Sequence, residues 1–163
     1  MIIRNIGFEP NALDKTFTTS SKCSGKGISR RRPDMVYIVP ERNVAVIIEI
    51  DEDSHFSYSG SCEVAKISEQ NEAIHLTENC ESLAIYTIRV NPDEFDGYGG
   101  VLGKKQTLEE RADTVGTICK NILFKIRHYR NAYQKVFFCF YHSKSDFLVD
   151  FTRNHFPVEI IKD

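Results

Sequence analysis

The chain lacks several features that mark common classes of protein. It has no tryptophan, and no apolar stretch approaches the roughly 20 residues that a membrane-spanning helix needs. Its opening segment, MIIRNIGFEPN, does not have the basic and then apolar layout of a secretory signal. Neither sign of charge dominates, because 21 lysines and arginines stand against 23 aspartates and glutamates. We therefore expect an intracellular protein without a membrane segment, in which any affinity for nucleic acid would have to come from a local basic patch.

The five cysteines have neither the even number nor the spacing of a structural framework. The odd count argues against a disulfide-linked fold, and no pair has the C-x-x-C spacing of a zinc knuckle. Cys119 and Cys139 fall within apolar patterns, so we expect them to pack as small hydrophobic side chains. A mixed metal site is the less favoured alternative, drawn from Cys23, His55, Cys62 and Cys80.

The chain does contain enough apolar sequence for one folded domain. Its 163 residues are 41% hydrophobic, which suits a single domain over residues 1–163 around one core. Residues 1–21 form a weakly patterned lead-in, with a short edge strand expected over residues 1–6. This beginning reads as if an upstream portion precedes it.

A cationic segment precedes the most strongly patterned part of the chain. Residues 22–32, KCSGKGISRRR, contain no acid, and their glycines and serines predict a loop. Such a loop is ordinarily a solvated surface, but this one ends beside Asp34. Because carboxylates repel phosphate, a basic loop at this place is suited to drawing nucleic acid towards them. The side chains expected to bind it are Lys26, Arg30, Arg31 and Arg32.

Two strands and a tight turn are predicted next. The first strand covers residues 35–39, and residues 40–43 form the turn. Residues 44–48 are a β-branched run without a polar face, as in a central strand that is covered on both sides. Residues two apart in a strand point the same way, so the end of this strand delivers Glu49 and Asp51 on one face.

The acids around this hairpin suit a divalent cation. Magnesium-dependent phosphodiester hydrolysis uses carboxylates, and often a backbone carbonyl, to hold the cation while water and phosphate take the other positions. Asp34, at the mouth of the first strand, is expected to meet Glu49. His55 follows Asp51 by four residues, and the ordinary pKa of histidine suits a group that takes or relays a proton. Strand-end acids and single histidines are common on surfaces, yet the whole pattern favours a metal-dependent nuclease centre.

A motif thus extends over both strands and the segment that follows them. Its residues are Pro33, Asp34, Glu49, Ile50, Asp51 and His55. The motif resembles the PD-(D/E)XK, or restriction-endonuclease-like, nuclease superfamily, in particular its branch of very-short-patch repair and EDxHD homing endonucleases. Residues 32–66 and 85–95, which make up 46 of the 163 residues, are also similar to nuclease-like proteins of large DNA viruses. The resemblance implies an α/β fold with a central mixed sheet flanked by helices, a magnesium or manganese ion, and cleavage of nucleic acid, usually DNA.

The resemblance implies a metal-binding role for four residues. Asp34 would be the principal ligand, Glu49 the second acid, and Ile50 a ligand through its backbone carbonyl. The lysine of the familiar pattern, two residues after Glu49, is replaced here by Asp51. If Asp51 points at Asp34 and Glu49 it belongs to the metal site, and if it points away it is a surface residue.

Two residues are candidates for handling the proton. An acid in the lysine position with a later histidine is normal in the repair-endonuclease-like branch, which assigns the role to His55. Lys66 is the second candidate, since the superfamily sometimes moves its lysine to the following helix. That helix is expected over residues 61–79, with Glu63, Lys66 and Gln70 on one side. A Glu63–Lys66 ion pair on a solvated face is an equal alternative.

The second half of the chain continues the alternation of strands and helices. A strand over residues 82–90 is expected to lie parallel to the central strand, because the helix makes the crossover. Arg89, near its end, is expected to form a plain ion pair, with contacts to the site carboxylates or to phosphate as alternatives. A capping-box motif at residues 107–110 starts a long helix with an apolar stripe to Tyr129. Further strands are expected over residues 136–141 and 158–161.

A glycine-rich loop over residues 91–106 offers a further contact with nucleic acid. If the loop closes over a groove, Tyr98 can stack on a base, and Lys104 and Lys105 are expected to bind the backbone. Loops of this composition are equally common without a function. Residues 143–157 leave room for a homodimer surface.

The sequence as a whole predicts an endonuclease that uses a divalent metal and acts on nucleic acid, with DNA as the expected substrate. The expected setting is the cytoplasm or nucleus, and the likeness to viral proteins indicates a viral protein. The alternative is a catalytically silent nucleic-acid-binding or assembly module that keeps the nuclease fold. Intact Asp34, Glu49 and His55 favour the enzyme.

Overall fold

A computed structural model describes residues 1–19, 29–51, 60–78, 82–93, 106–125, 133–141 and 157–161. Within these ranges, only the backbone is described at residues 18, 19, 29–31, 60, 77 and 78. The elements in chain order are α1 (Ile2–Ile6), β1 (Ala12–Leu13), β2 (Phe17–Thr19), β3 (Ser29–Arg31), β4 (Met35–Val39), β5 (Val44–Ile50), α2 (Gly60–Glu78), β6 (Ala84–Val90), α3 (Leu108–Lys120), β7 (Gln134–Cys139) and β8 (Val158–Ile161).

Six of the strands form one mixed sheet in the order β1-β4-β5-β6-β7-β8. The pairs from β1 to β5 are antiparallel, and those from β5 to β8 are parallel. The parallel pairing of β5 with β6 confirms the predicted crossover through α2. The fold is therefore α/β, with helices on the two faces of a mixed sheet. A separate antiparallel pair, β2 and β3, packs against α2.

The two faces of the sheet pack against different helices. Even-numbered residues of β5, such as Val46, share a cluster with Ile6 of α1 and Val115 of α3. Odd-numbered residues such as Ile47 share a cluster with Ile74 of α2. Alternation along the strand therefore places position 49 on the face that α2 covers.

The hairpin between β4 and β5 follows the predicted boundaries. Pro40–Arg42 forms a single 3-10 turn, and Asn43 adopts the left-handed conformation with φ 56°. Asparagine tolerates this conformation better than most residues. The Asn43 side chain also donates to the carbonyl oxygen of Ser82 at 2.6 Å, which fastens the turn to the start of β6.

The predicted edge strand at the start of the chain is wrong, because Ile2–Ile6 is the helix α1. Gly7 ends the helix with φ 88°. The close packing of α1 against α3 explains the difference: a Cβ atom at Gly116 would lie 2.8 Å from the Cβ of Asn5. A tertiary contact of this kind decides the conformation of a short apolar segment and leaves no local sequence signal.

The start of the predicted long helix is confirmed, but its geometry changes from α-helical to π-helical after Lys120. Thr107 Oγ1 accepts from the Glu110 amide at 3.2 Å, and Glu110 Oε2 accepts from the Thr107 amide at 2.7 Å, which is the predicted capping box. After Lys120 the chain makes a π-helical turn, Asn121–Lys125, and residues 126–130 lie outside the described ranges. No helix in the described part of the chain has both the length and the apolar composition for crossing a membrane.

Candidate active site

Glu49 lies at the end of β5 and is held by two side chains of α2. It is 4% exposed. Its Oε2 accepts from Lys66 Nζ at 2.7 Å, and its Oε1 accepts from Gln70 Nε2. Lys66 and Gln70 are four residues apart, and this spacing places them side by side on a helix. The packing of α2 on the sheet thus gives this buried carboxylate a cation and an amide donor.

Asp34 lies next to Glu49 because of the register of the hairpin. Met35 pairs with Ile48, and continuing this antiparallel register places residue 34 opposite residue 49. Asp34 Oδ2 accepts from the backbone N–H of Ile50 at 2.7 Å. The N–H and C=O groups of an extended residue project to the same side of a strand, so the Ile50 carbonyl faces the Asp34 side as well. The structure therefore brings Asp34, Glu49 and Ile50 together.

The pKa of Glu49 reflects this environment. Burial has the largest influence and raises the pKa above the usual 4.5. The charge of Lys66 and the hydrogen bonds from Lys66 and Gln70 lower it, while the Asp34 carboxylate raises it further. The influence of Asp34 agrees with the register, which places the two carboxylates next to each other. A cation between them would reduce their repulsion.

Asp51 does not point to the surface. It is completely buried, and its Oδ2 accepts from Arg89 Nε at 2.5 Å and from the Tyr141 hydroxyl. The surface alternative for Asp51 is therefore wrong. Its role as a catalytic residue or metal ligand stays a prediction, and contacts with Arg89 and Tyr141 are those of a structural ion pair.

Arg89 forms ion pairs deep inside the protein, and one partner is Asp51, a predicted site carboxylate, as the alternative interpretation had it. It is 1% exposed, and its Nη2 lies 2.6 Å from Glu63 Oε2 in addition to the contact with Asp51. Burial opposes the charge of Arg89, yet Asp51 and Glu63 outweigh it and raise the pKa of Arg89 above its ordinary value. A direct contact of Arg89 with phosphate is excluded by its burial. The Glu63–Lys66 pair on a solvated face is likewise wrong, since each residue instead binds a partner on the sheet.

The donor atoms suit magnesium or manganese, which prefer carboxylate and carbonyl oxygens. Gln70 donates to Glu49 through Nε2, while its Oε1 is buried and has no hydrogen-bond partner among the residues described. No cluster of three or more His, Cys, Asp and Glu side chains that could hold a metal occurs in the described ranges. The site offers only two carboxylate side chains and one backbone carbonyl. This donor set fits a cation that keeps several waters as ligands.

The predicted nucleic-acid contacts are described only in part. The Arg32 side chain is exposed and donates to the backbone oxygen of Asp14 at 3.0 Å and to the Asp14 carboxylate. Arg30 and Arg31 belong to β3, where only the backbone is described. Several candidates lie outside the described residues: Cys23, Lys26, His55, Cys80, Tyr98, Lys104 and Lys105.

Sequence reasoning missed two features of the site. It placed Gln70 on the correct side of α2 but did not assign it to Glu49; the spacing from Lys66 was the available signal. It also missed Tyr141, which is 90 residues from Asp51 and has no local pattern to link it to this region. Comparison of the chain with protein-family models, curated proteins and solved structures gave no significant match.

Proposed function

We propose that this chain is a divalent-metal-dependent endonuclease of the PD-(D/E)XK type, which hydrolyses phosphodiester bonds in nucleic acid, with DNA as the preferred substrate. The observation that carries the proposal is the set of contacts at the end of β5, where Asp34 binds the Ile50 amide and Lys66 binds Glu49. The architecture gives further support, since a mixed sheet flanked by helices is what the resemblance implies.

The residues of the site have separable tasks in this mechanism. Asp34, Glu49 and the Ile50 carbonyl would hold magnesium or manganese, which supplies charge to polarise the phosphate and to lower the pKa of a bound water. Lys66 places its ammonium group beside the Glu49 carboxylate. An ammonium group there can orient a water or stabilise charge that develops on phosphate. Proton handling is assigned to His55, as the resemblance implies, with Lys66 as the second candidate.

Two carboxylates repel a phosphodiester, so the substrate needs compensating positive charge. The strand β3, which includes Arg30 and Arg31, packs against the same helix that carries Lys66. We propose that this basic strand, together with Lys26 and Arg32, guides the nucleic-acid backbone towards the site. Lys104 and Lys105 complete the proposed binding residues.

A cleavage assay on single- and double-stranded DNA and RNA, with magnesium or manganese, tests the proposal. Asp34→Asn and Glu49→Gln should each lower metal-dependent cleavage by about 100-fold or more, because each removes a charged metal ligand. Glu41→Gln is the matched control, since Glu41 is an exposed acid in the turn before β5 and should not affect cleavage.

Cutting that survives both ligand substitutions would contradict the mechanism. Nucleic-acid binding by the wild-type chain without any cutting would instead favour the silent module. The ratio of cleavage on DNA and RNA decides the substrate.

A further inference from the structure

A buried charged cluster lies beside the candidate active site and takes no direct part in the proposed chemistry. Its members, which we call the Arg89 cluster, are Asp51, Glu63, Arg89 and Tyr141, and each is at most 3% exposed. Arg89 pairs with Asp51 at 2.5 Å and with Glu63 at 2.6 Å, while the Tyr141 hydroxyl donates to Asp51. Charges are retained at such depth only when they are paired, so the geometry of this cluster is tightly constrained.

The Arg89 cluster connects four parts of the fold. Asp51 directly follows β5, Arg89 belongs to β6, and Glu63 belongs to α2. Tyr141 lies just beyond β7 and packs edge-on against Phe138, with ring centroids 5.2 Å apart. The cluster thus ties α2 to the sheet at a fixed place.

The attachment of α2 through Glu63 lies one helical turn from its contact with Glu49 through Lys66. Glu63 precedes Lys66 by three residues on α2, so both side chains project from the same side of the helix. Arg89 is the register partner of Glu49 on the neighbouring strand. One ion pair, Arg89–Glu63, therefore stands beside a second, Lys66–Glu49, and both link the same helix to adjacent strands.

We propose that Arg89 is a positioning residue, which through Glu63 and Asp51 fixes α2 over the end of β5 and so places Lys66 and Gln70 on Glu49. Where cleavage is the readout, this inference rests on the proposed nuclease function. The spectroscopic readout below does not depend on that function. The competing explanation is that the cluster stabilises the fold without influencing the position of Lys66.

Two near-isosteric variants separate these explanations. Glu63→Gln removes the charge that links α2 to Arg89, whereas Tyr141→Phe removes a hydrogen bond to Asp51 and leaves the link to α2 intact. Both alter the same cluster, so Tyr141→Phe controls for a general loss of stability.

The ammonium signal of Lys66 reports its pairing with Glu49. This signal can be observed in a nitrogen-edited NMR spectrum and assigned with Lys66→Arg. We expect Glu63→Gln to shift or broaden the signal and to lower kcat about ten-fold with little change in KM, because the loss concerns alignment rather than substrate binding. Tyr141→Phe should change both the signal and kcat by less than Glu63→Gln does, because it leaves the contact between Arg89 and Glu63 in place.

An unchanged Lys66 signal in folded Glu63→Gln would overturn the proposal, as would equal effects of the two variants. Arg89→Lys adds a rescue test, since a shorter cation should restore part of the signal that Arg89→Met loses. If the wild-type chain cleaves no substrate, the nuclease function fails, whereas the Lys66 signal still decides whether the cluster positions α2.

Discussion

The two faces of the central sheet are built from the same strands but differ in composition. The face covered by α1 and α3 is apolar along its length, with side chains such as Val46, Ile48 and Ile88 in one cluster. The face covered by α2 is apolar at one end, and at the other end Glu49 and Arg89 are buried. The charged side chains at this end link α2 to the sheet, because Glu49 binds Lys66 and Arg89 binds Glu63. In the proposed function they form the reaction centre and its support.

The largest loss of stability is expected from replacing Arg89, the cation at the end of the α2 face where Glu49 and Arg89 are buried. Arg89→Met leaves Asp51 and Glu63 buried without it and should lower the free energy of unfolding by about 3–5 kcal/mol. Arg111→Met is the matched control, because Arg111 is equally buried but donates to the backbone oxygens of Asn91 and Asp93. The control should cost about 1–3 kcal/mol. Urea denaturation measures both losses in the free energy of unfolding. If Arg89→Met costs no more than Arg111→Met, the distinction drawn between the two faces is contradicted.

The pH dependence of stability should report the buried carboxylate on the α2 face. The pKa of Glu49 is raised in the folded chain, mainly by burial, above the usual 4.5. The folded chain then binds more protons than the unfolded chain above pH 4.5, so the contribution of Glu49 to stability is present below that pH and lost as the pH rises through the folded pKa. The effect amounts to about 1.4 kcal/mol for each unit by which the pKa is raised.

Glu49→Gln should abolish this component. The free energy of unfolding should therefore be measured for wild type and variant between pH 4 and 8. As the pH rises, the variant should become more stable relative to wild type. A constant difference would show that the Glu49 pKa is not raised.

Smaller effects are expected from trimming the apolar part of each face. Ile47 faces α2 and Ile48 faces α1 and α3, and both are fully buried. Replacing either by valine should cost about 0.5–1.5 kcal/mol, since one methylene group is lost from a packed core. Cleavage per folded molecule should not change in either variant. If Ile48→Val lowers cleavage per folded molecule, the apolar face also takes part in the reaction.

The smallest perturbation is chemical labelling of the thiols. Burial raises the pKa of both Cys119 and Cys139 to about 12, and both side chains belong to the apolar face. Cys62, at the start of α2, is exposed. Alkylation at pH 8 followed by mass spectrometry should modify Cys62 and leave Cys119 and Cys139 protected until the chain unfolds. Early labelling of Cys119 would contradict the packing of α3.

The sequence predicted the elements whose signals are local. A proline and an asparagine bound the turn between β4 and β5, a β-branched run forms β5, and the capping box starts α3. Alternation along β5 also predicted that Glu49 and Asp51 share a face. Local pattern and final structure agree where short-range physics decides the conformation.

The parts that could not be predicted depend on distant partners. α1 is helical because it packs on α3, which residues 1–6 do not encode by themselves. Asp51 is drawn away from the surface by Arg89 and Tyr141, which are 38 and 90 residues away along the chain. No pattern within residues 32–66 distinguishes a carboxylate that meets a cation of the protein from one that meets a metal.

Metal binding tests the central claim most directly. Titration of the chain with manganese, followed by calorimetry, should show a site in the wild type that Asp34→Asn and Glu49→Gln weaken by about 10-fold or more, because each variant removes a charged oxygen ligand. Glu41→Gln should bind like wild type. Manganese binding that is undiminished in both Asp34→Asn and Glu49→Gln would contradict the account of this site.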